Sequence, residues 1–269
     1  MQLHYYFANL IQISKKFRMK KYILVLYFIS VTLAVNSQNT RIIDYNLIGW
    51  YNTFITKKIT DKWSTHTEYQ WRRDDFILHG QQSLLRVGIN YKFNPKLLAR
   101  VGYGWIETYP YGSINLQAAG KTFTEHRAFQ ALLLNDEMGI LELQHRLMLE
   151  QRWIGRYTKP DIKSEDDYVY VNRIRYMLRL QIPIGKKLME DKTIYAAMYD
   201  ELFIQFGKNV QENVFDQNRL GALIGYKLNK YFKLELGYLN QTVLLGREIE
   251  GRNVLQKNNG FIVNTYINF

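Results

Sequence analysis

The chain has 269 residues, a formal net charge of +12 and no cysteine. This length suits one large β domain or two small ones, and the absence of cysteine excludes disulfide bonds and a cysteine-anchored lipoprotein. Hydrophobic residues make up 47% of the sequence, yet the mean hydropathy is only −0.30, so apolar and polar residues must be interleaved.

The first predicted element is an export signal. The segment MKKYILVLYFISVTLAVNSQ begins at Met19 with a methionine and two lysines, continues as a mostly apolar run and ends in small residues before Gln38. This order of segments is typical of a secretory signal peptide. We predict a signal peptide over residues 1–37, with translation starting at Met19, and a mature domain over residues 38–269. The alternative is an N-terminal membrane anchor.

Export changes what the charge implies. Residues 1–37 contain five basic residues and no acidic residue, so the mature domain carries a net charge of +7. A basic balance often indicates nucleic-acid binding, but an exported chain leaves the cytoplasm. We therefore predict no nucleic-acid partner.

Beyond the signal, the hydrophobic pattern has a period of two, which predicts β-strands. In WSTHTEYQWR, which begins at Trp63, aromatic and threonine residues alternate with more polar ones. The same pattern recurs in SLLRVGINYKF, LLARVGYGW, ILELQHRLMLEQRWI, YVYVNRIRYMLRLQI, RLGALIGYKL and YFKLELGYLNQ. Two segments are less regular. Arg127 could lie on either face of its strand, and either Asp200 or Glu201 should lie on the apolar face or at a bulge.

The connections between these strands alternate in length. Short turns (KKITDK, NPK, NDEMG, LNK) alternate with longer loops around 74–81, 107–121, 155–167, 207–217 and 242–258. Short turns at one rim and long loops at the other are typical of transmembrane barrels. About eleven strands are clear, and because bacterial barrels usually have an even number we expect twelve, with an extra strand within 39–47. Loss of one weak strand would leave ten.

Three features favour a membrane barrel over a soluble sandwich. Many strands reach the roughly 9–11 residues that cross a tilted barrel wall. The polar face combines arginine with glutamate, as expected of a closed interior where charges pair. Aromatic residues at the ends of the apolar stripes suit interfacial girdles: Trp50, Trp71, Tyr91, Trp105, Trp153, Tyr168 and Tyr170. We predict an all-β, transmembrane, antiparallel up-and-down β-barrel in contact with the lipid of a Gram-negative outer membrane.

The final segment, GFIVNTYINF, alternates to the last residue and ends in Phe269. It resembles the C-terminal recognition signal that the barrel-assembly machinery reads in outer-membrane proteins. That machinery is therefore a predicted partner.

Several segments resemble an uncharacterised outer-membrane family of the Bacteroidota, the domain of unknown function 2490. These segments are EHRAFQ, HRLMLEQRW, NRIRYMLRLQIPIG, YDELFI, NRLGALIGYKLN and LELGYLNQ, and together they sample the mature chain from Trp50 onward. The resemblance implies an outer-membrane barrel and carries no activity.

A set of charged residues is the candidate functional site of the interior: Arg146, Glu150, Arg152, Arg173, Arg175, Arg179 and Glu201. As a functional site, it would bind or conduct a small anionic solute. As a structural element, it would be a pairing network that fills a narrow barrel, since small barrels are filled by side chains. We favour the structural interpretation, and the protein would then be structural or a narrow, porin-like pore.

Catalytic and metal sites are weakly indicated. Ser64, His66 and Glu68 share a face, but side chains two apart on a strand are poorly placed for the direct contact that nucleophilic catalysis needs. A lipid hydrolase or acyltransferase is therefore only an alternative, as is a secreted soluble β ligand-binding protein. No spacing typical of metal ligands occurs; the acidic loop SEDD at 164–167 is expected to be a solvated turn rather than a calcium site. We predict no enzyme activity and no cofactor.

Overall fold

The computed structural model describes residues 41–210 and 213–269, and the predicted signal peptide lies outside these residues. The described part of the chain folds into strands joined by turns and loops. Their bounds are β1 Ile42–Lys58, β2 Trp63–Asp74, β3 His79–Lys92, β4 Leu97–Thr108, β5 Phe123–Met138, β6 Leu141–Arg156, β7 Asp167–Pro183, β8 Thr193–Phe206, β9 Phe215–Lys227, β10 Phe232–Ile249 and β11 Arg252–Asn268. No described helix is long and apolar enough to cross a membrane.

The strands form a closed barrel in which every strand pairs with its neighbours in the chain. The barrel closes between β1 and β11, and this pair is parallel, with Ile48 opposite Gly260 and Thr53 opposite Thr265. All the other pairs are antiparallel. The predicted all-β barrel is thus confirmed, and its strands are antiparallel as predicted except for the closing pair of β1 and β11.

The strand number differs from the twelve that we expected, because the described residues form eleven strands. The segment 42–47, where an additional strand was expected, runs without a break into the rest of β1. The expectation assumed that the chain enters and leaves at the same rim. Instead, β1 and β11 run in the same direction, so a parallel pair closes the barrel and the strand number is odd.

The two faces of the wall differ as the alternation predicts. Large apolar side chains are exposed on the outside along β1 to β10, for example Leu236 at 57%, Ile224 at 56% and Val101 at 55%. Charged and amide side chains are buried inside. The inner face also has an apolar cluster on one side, formed by Ile48, Trp50, Tyr195, Ala197, Leu223, Leu239 and Ile262.

Trp50 corrects one prediction. We placed it in an aromatic girdle at the end of an outer stripe, but it is inside the barrel and only 2% exposed. The reason is the register of β1, which directs Asn46, Ile48, Trp50 and Asn52 inward together. Ile48 and Trp50 are therefore apolar residues on the polar face of the wall, and at these two positions residue type does not predict the face.

The irregular segments are also resolved. Arg127 is buried inside the barrel, and so is Glu201, whereas Asp200 points to the outer face. No bulge separates these two acids, since the irregularity in β8 falls later, between Phe203 and Ile204. Asp200 accepts a hydrogen bond from the Nδ2 of Asn218 at 2.6 Å, which gives the outward carboxyl a local partner.

Glycines on the inner face of β4 make room for large side chains. A Cβ at Gly102 would lie 2.7 Å from the Phe129 ring, and one at Gly104 would lie 3.2 Å from the side chain of Arg86. These strand glycines therefore allow bulky groups to cross the lumen.

The two rims differ in their connections. The short-turn rim carries residues 59–62, 93–96, 139–140, 184–192 and 228–231. The long-loop rim carries residues 75–78, 109–122, 157–166, 207–210, 213–214 and 250–251. The loop expected around 242–258 is mostly strand, and β10 and β11 meet in a two-residue turn. Both turn residues, Glu250 and Gly251, have positive φ values of 52° and 70°, which are typical of a type I′ hairpin turn.

Candidate functional site in the barrel interior

The predicted site residues all lie on three neighbouring strands, β6, β7 and β8, and all but one are buried: Arg146, Glu150, Arg152, Arg173, Arg175, Arg179 and Glu201. The exception is Arg146, whose side chain is 20% exposed. All seven side chains therefore lie on the same face of the wall. The tertiary structure then divides them among separate clusters.

Glu150 is the centre of the largest cluster and has no exposed surface. Its Oε1 accepts hydrogen bonds from Arg86 Nη2 at 3.1 Å and from Arg175 Nη1 at 2.7 Å, and its Oε2 accepts one from Arg173 Nε at 2.8 Å. Arg127 Nη1 lies 3.9 Å from the same carboxylate. One buried carboxylate thus holds several guanidinium groups from different strands.

Glu201 extends this cluster to β8. Its Oε1 accepts hydrogen bonds from the Nη2 atoms of Arg146 and Arg175, both at 2.8 Å. On the other side of the barrel, Arg86 Nη1 donates to Glu68 Oε1 at 2.9 Å. We call this set the Glu150 network: Glu68, Arg86, Arg146, Glu150, Arg173, Arg175 and Glu201.

The remaining two predicted residues have other partners. Arg152 shares the carboxylate of Glu125 with Arg127. Arg179 lies toward the short-turn rim, where its Nη2 donates to Glu235 Oε1 at 2.6 Å; the Tyr195 hydroxyl donates to the same oxygen at 2.6 Å. The Arg152–Glu125 pair and the Arg179–Glu235 pair therefore lie at different heights along the barrel wall.

A second kind of arginine environment surrounds Trp50. The guanidinium carbon of Arg72 lies 3.8 Å from the centroid of the Trp50 ring, and that of Arg219 lies 4.8 Å from it. Arg219 also lies 4.5 Å from the Phe203 centroid. The indole Nε1 donates to Gln81 Oε1 at 2.7 Å, which fixes the ring. We call Trp50, Arg72 and Arg219 the Trp50 site.

The arginines of the Trp50 site form no ion pair with any described carboxylate. Arg72 donates its hydrogen bonds to the side-chain oxygens of Gln70 and Gln82. Arg219 donates a single one, from Nε to Gln217 Oε1 at 3.1 Å. Stacking on aromatic rings stabilises these cations, and no carboxylate of the described residues lies within ion-pair distance of either guanidinium.

Together the two clusters form a ring of contacts inside the barrel. Glu150 is hydrogen bonded to Arg175, whose guanidinium carbon lies 4.4 Å from the centroid of the Phe203 ring. The Phe203 ring also contacts Arg219 of the Trp50 site. From Arg72 they return through Gln70, Glu68 and Arg86 to Glu150. Side chains from β1, β2, β3, β6, β7, β8 and β9 take part, so the ring constricts the lumen.

A loop covers the interior at the long-loop rim. Tyr111, in the loop 109–122 between β4 and β5, is buried, and its hydroxyl donates to Gln256 Oε1 on β11 at 2.9 Å. Ser113 Oγ donates to Asp44 Oδ1 on β1 at 3.0 Å. Since β4 and β5 lie far around the barrel from β1 and β11, this loop reaches across the mouth.

Ser64, His66 and Glu68 do not assemble as a catalytic set. Ser64 Oγ accepts a hydrogen bond from Asn90 Nδ2 at 2.9 Å, and no hydrogen bond in the described residues joins it to His66. His66 is buried and lies 3.4 Å from Glu68 Oε2. The serine therefore lacks the adjacent base that would activate it.

The acidic loop at 164–167 uses its carboxylates locally. Asp166 accepts hydrogen bonds from the backbone N–H of Thr158, at 2.9 Å, and from its hydroxyl. Glu165 accepts one from the Tyr168 hydroxyl at 3.0 Å. These contacts order the β6–β7 loop.

Sequence reasoning placed several of these residues on the polar face but did not include them in the site: Glu68, Arg72, Arg86 and Arg219. These residues belong to the same period-two pattern as the predicted site residues, so the sequence contained the information needed to include them. Trp50 had no such signal, because an aromatic residue on a polar face contradicts the pattern used to find that face.

Comparison with known proteins gives a family and one distant structure. Residues 48–247 match the family described as "Protein of unknown function (DUF2490)". A solved structure of the NanC porin is 13% identical, with a TM-score of 0.41, over 77% of this chain and 92% of that chain. No curated protein sequence matches the chain.

Proposed function

This chain belongs to the DUF2490 family, and we propose that it is an integral outer-membrane β-barrel without enzymatic activity. The observation that carries the proposal is the inverted distribution of side chains. Ion pairs such as Glu150 with Arg175 are buried, while large apolar residues are exposed around the wall. A soluble protein rarely exposes so much contiguous apolar surface. An apolar outer band of this kind is the surface that a transmembrane barrel presents to lipid.

The closed barrel supports this location. In hydrocarbon every backbone N–H and C=O must be hydrogen bonded within the protein, so a closed sheet can span a bilayer and an open sheet cannot. The parallel pair of β1 and β11 leaves no free sheet edge among the described strands.

Export and assembly complete the proposal. A signal peptide over residues 1–37 would direct the chain across the inner membrane. The barrel-assembly machinery would then recognise β11, which runs to Asn268 and precedes Phe269. The exposed Phe269 is paired through its backbone with β1 at Thr56 and Lys58, which extends the closing pair of strands beyond Asn268.

In this proposal the first role of the interior is structural. The Glu150 network links strands far apart in the chain, such as β3 and β6 through Arg86 and Glu150. Buried charges that are paired and hydrogen bonded hold one arrangement, because any other leaves a charge unpaired. The network would thereby fix the shape of a narrow barrel.

A substitution on the outer face tests the membrane location. Leu236 and Leu78 are 57% and 64% exposed, but Leu236 lies on the wall between Ile224 and Val263, whereas Leu78 lies in a rim loop. In lipid, Leu236→Lys should destabilise the barrel by about 2–4 kcal/mol, as lysine does near the bilayer centre. Leu78→Lys, the matched control, should have little effect.

The measurement is the free energy of unfolding of each variant in lipid vesicles with urea. The folded fraction is read on a gel, where folded barrels migrate differently from heated ones. Cell fractionation gives the location directly: the protein should be found in the outer membrane, with its N-terminus at Gln38. Equal stability of the two lysine variants, together with recovery in the soluble fraction, would contradict the proposal.

A narrow, porin-like pore for small anions is the second candidate function, and the excess positive charge at the Trp50 site favours it. Its test is conductance in planar bilayers. An anion-selective current that falls on changing Arg173 and Arg175 to glutamine would support the pore. A silent, correctly folded barrel would leave the structural role alone.

A further inference from the structure

Arg219 has hydrogen-bonding capacity that the protein does not use. Arg219 is 8% exposed, and its Nε donates a hydrogen bond to the side-chain oxygen of Gln217. Neither Nη1 nor Nη2 donates to any atom of the described residues. Neither Nη atom is among the fully enclosed side-chain atoms that lack a partner, so these unused donors face open space in the lumen, where an acceptor can reach them.

The nearest carboxylate in register does not form an ion pair with Arg219. Glu201 lies opposite Arg219 in the pairing of β8 with β9, but its Oε1 is already held by Arg146 and Arg175. The structure thus keeps the acid in the Glu150 network and leaves Arg219 to the lumen.

A second cation lies close by. Arg72 and Arg219 contact the same Trp50 ring from strands β2 and β9, with Arg72 only 4% exposed. Two like charges held near one indole repel each other. Burial of unpaired charge is costly, and a bound anion would offset the repulsion between the two cations.

We propose that Arg72, Arg219 and Trp50 form a binding site in the lumen for a small oxyanion, meaning a carboxylate or phosphate group. The planar fork of a guanidinium matches both groups, which accept two parallel N–H donors. Arg219 has that fork free, and Arg72, whose donors are engaged by Gln70 and Gln82, supplies charge. Trp50 holds the two cations in place.

The shape of the interior restricts the ligand to a small one. The loop 109–122 covers the long-loop mouth through Tyr111 and Ser113, and the ring of contacts constricts the lumen. This inference deepens the pore candidate, since it gives the chemistry of the solute. It stands on the lumen geometry, and it can be tested on a folded barrel whether or not that barrel conducts.

The experiment measures ligand-dependent stability of the purified protein in detergent micelles. A ligand that binds only the folded state raises the urea midpoint as its concentration rises, so weak binding is detectable. Sodium acetate and inorganic phosphate are the probes, at constant ionic strength. The variants are Arg219→Gln and Arg72→Gln. The control is Arg252→Gln, which makes the same change in charge at the exposed first residue of β11, where Arg252 is paired with Glu250.

We expect acetate or phosphate to raise the midpoint of the natural protein and of Arg252→Gln. The apparent affinity should fall about tenfold or more in Arg219→Gln, since a charge-assisted hydrogen bond is lost. An effect of acetate alone would identify a carboxylate solute, and an effect of phosphate alone a phosphate ester; both support the site.

Two results would overturn the proposal. One is a folded natural protein whose midpoint responds to neither probe. The other is an equal response in Arg219→Gln and Arg252→Gln, which would show that the anion binds elsewhere. If Arg219→Gln fails to fold, Arg219→Lys keeps the charge without the fork, and a response as strong as that of the natural protein would exclude bidentate binding. Lack of conductance, by contrast, would count against the pore and leave this site standing.

Discussion

The Glu150 network and the Trp50 site are built from the same kind of residue, yet they treat its charge in opposite ways. In the first, Arg173 and Arg175 are fully paired with carboxylates. In the second, Arg72 and Arg219 rest on aromatic rings and meet only amide oxygens. A buried arginine is therefore not by itself a structural or a functional residue. Its partner decides which of the two it is.

The difference has an energetic consequence. A carboxylate that holds several guanidinium groups cannot be removed without leaving them unpaired in a buried place. An arginine that lacks a carboxylate has already paid that penalty in the folded state. Substitutions in the Glu150 network should therefore lower the free energy of unfolding more than substitutions in the Trp50 site, while both kinds of variant keep the fold.

Glu150→Gln should have the largest effect. It removes the carboxylate shared by Arg86, Arg173 and Arg175 and should destabilise the barrel by about 3–5 kcal/mol, the typical cost of breaking a buried ion pair from one side. The measurement is the free energy of unfolding in urea in lipid vesicles. An unchanged midpoint would show that the network does not stabilise the barrel.

Arg175→Gln should cost less, about 1–3 kcal/mol. Glu150 would keep Arg86 and Arg173, and Glu201 would keep Arg146, so no carboxylate loses all its partners. The same unfolding measurement applies. If Arg175→Gln proved as harmful as Glu150→Gln, then the centre of the network would be Arg175 rather than the carboxylate.

Arg219→Gln should change the unfolding free energy by no more than about 1 kcal/mol. The lost stacking on Trp50 and Phe203 is offset by removal of an unpaired buried charge. Unfolding without added oxyanion measures this effect. A loss as large as that of Glu150→Gln would mean that the two regions do not differ, and the comparison would fail.

Lys58→Ala should have no measurable effect. Lys58 pairs with Asp61 at 2.6 Å, but both side chains are largely exposed at the short-turn rim, where ion pairs contribute little. The variant is a baseline for the other three. A clear loss here would indicate that the assay reports something other than the interior.

The sequence alone determined the fold class and the face on which each residue of a regular strand lies. Successive side chains of a strand point to opposite sides, a local property that needs no knowledge of neighbours. That is why Arg173, Arg175 and Arg179 could be assigned together to one face. It also made the family recognisable, and residues 48–247 confirm it.

Only the tertiary structure decided which charge meets which. Arg86 and Glu150 are 64 positions apart in the chain, and their contact depends on the radius and stagger of the whole barrel, to which every strand register contributes. The same is true of the parallel closure of β1 on β11 and the resulting strand number.

Trp50 shows this division most clearly. By residue type it belongs on the outside, but the register of β1 turns it inward beside Arg72 and Arg219. Local periodicity follows from the geometry of one strand, whereas the environment of a lumen residue is set by strands that lie far away in sequence.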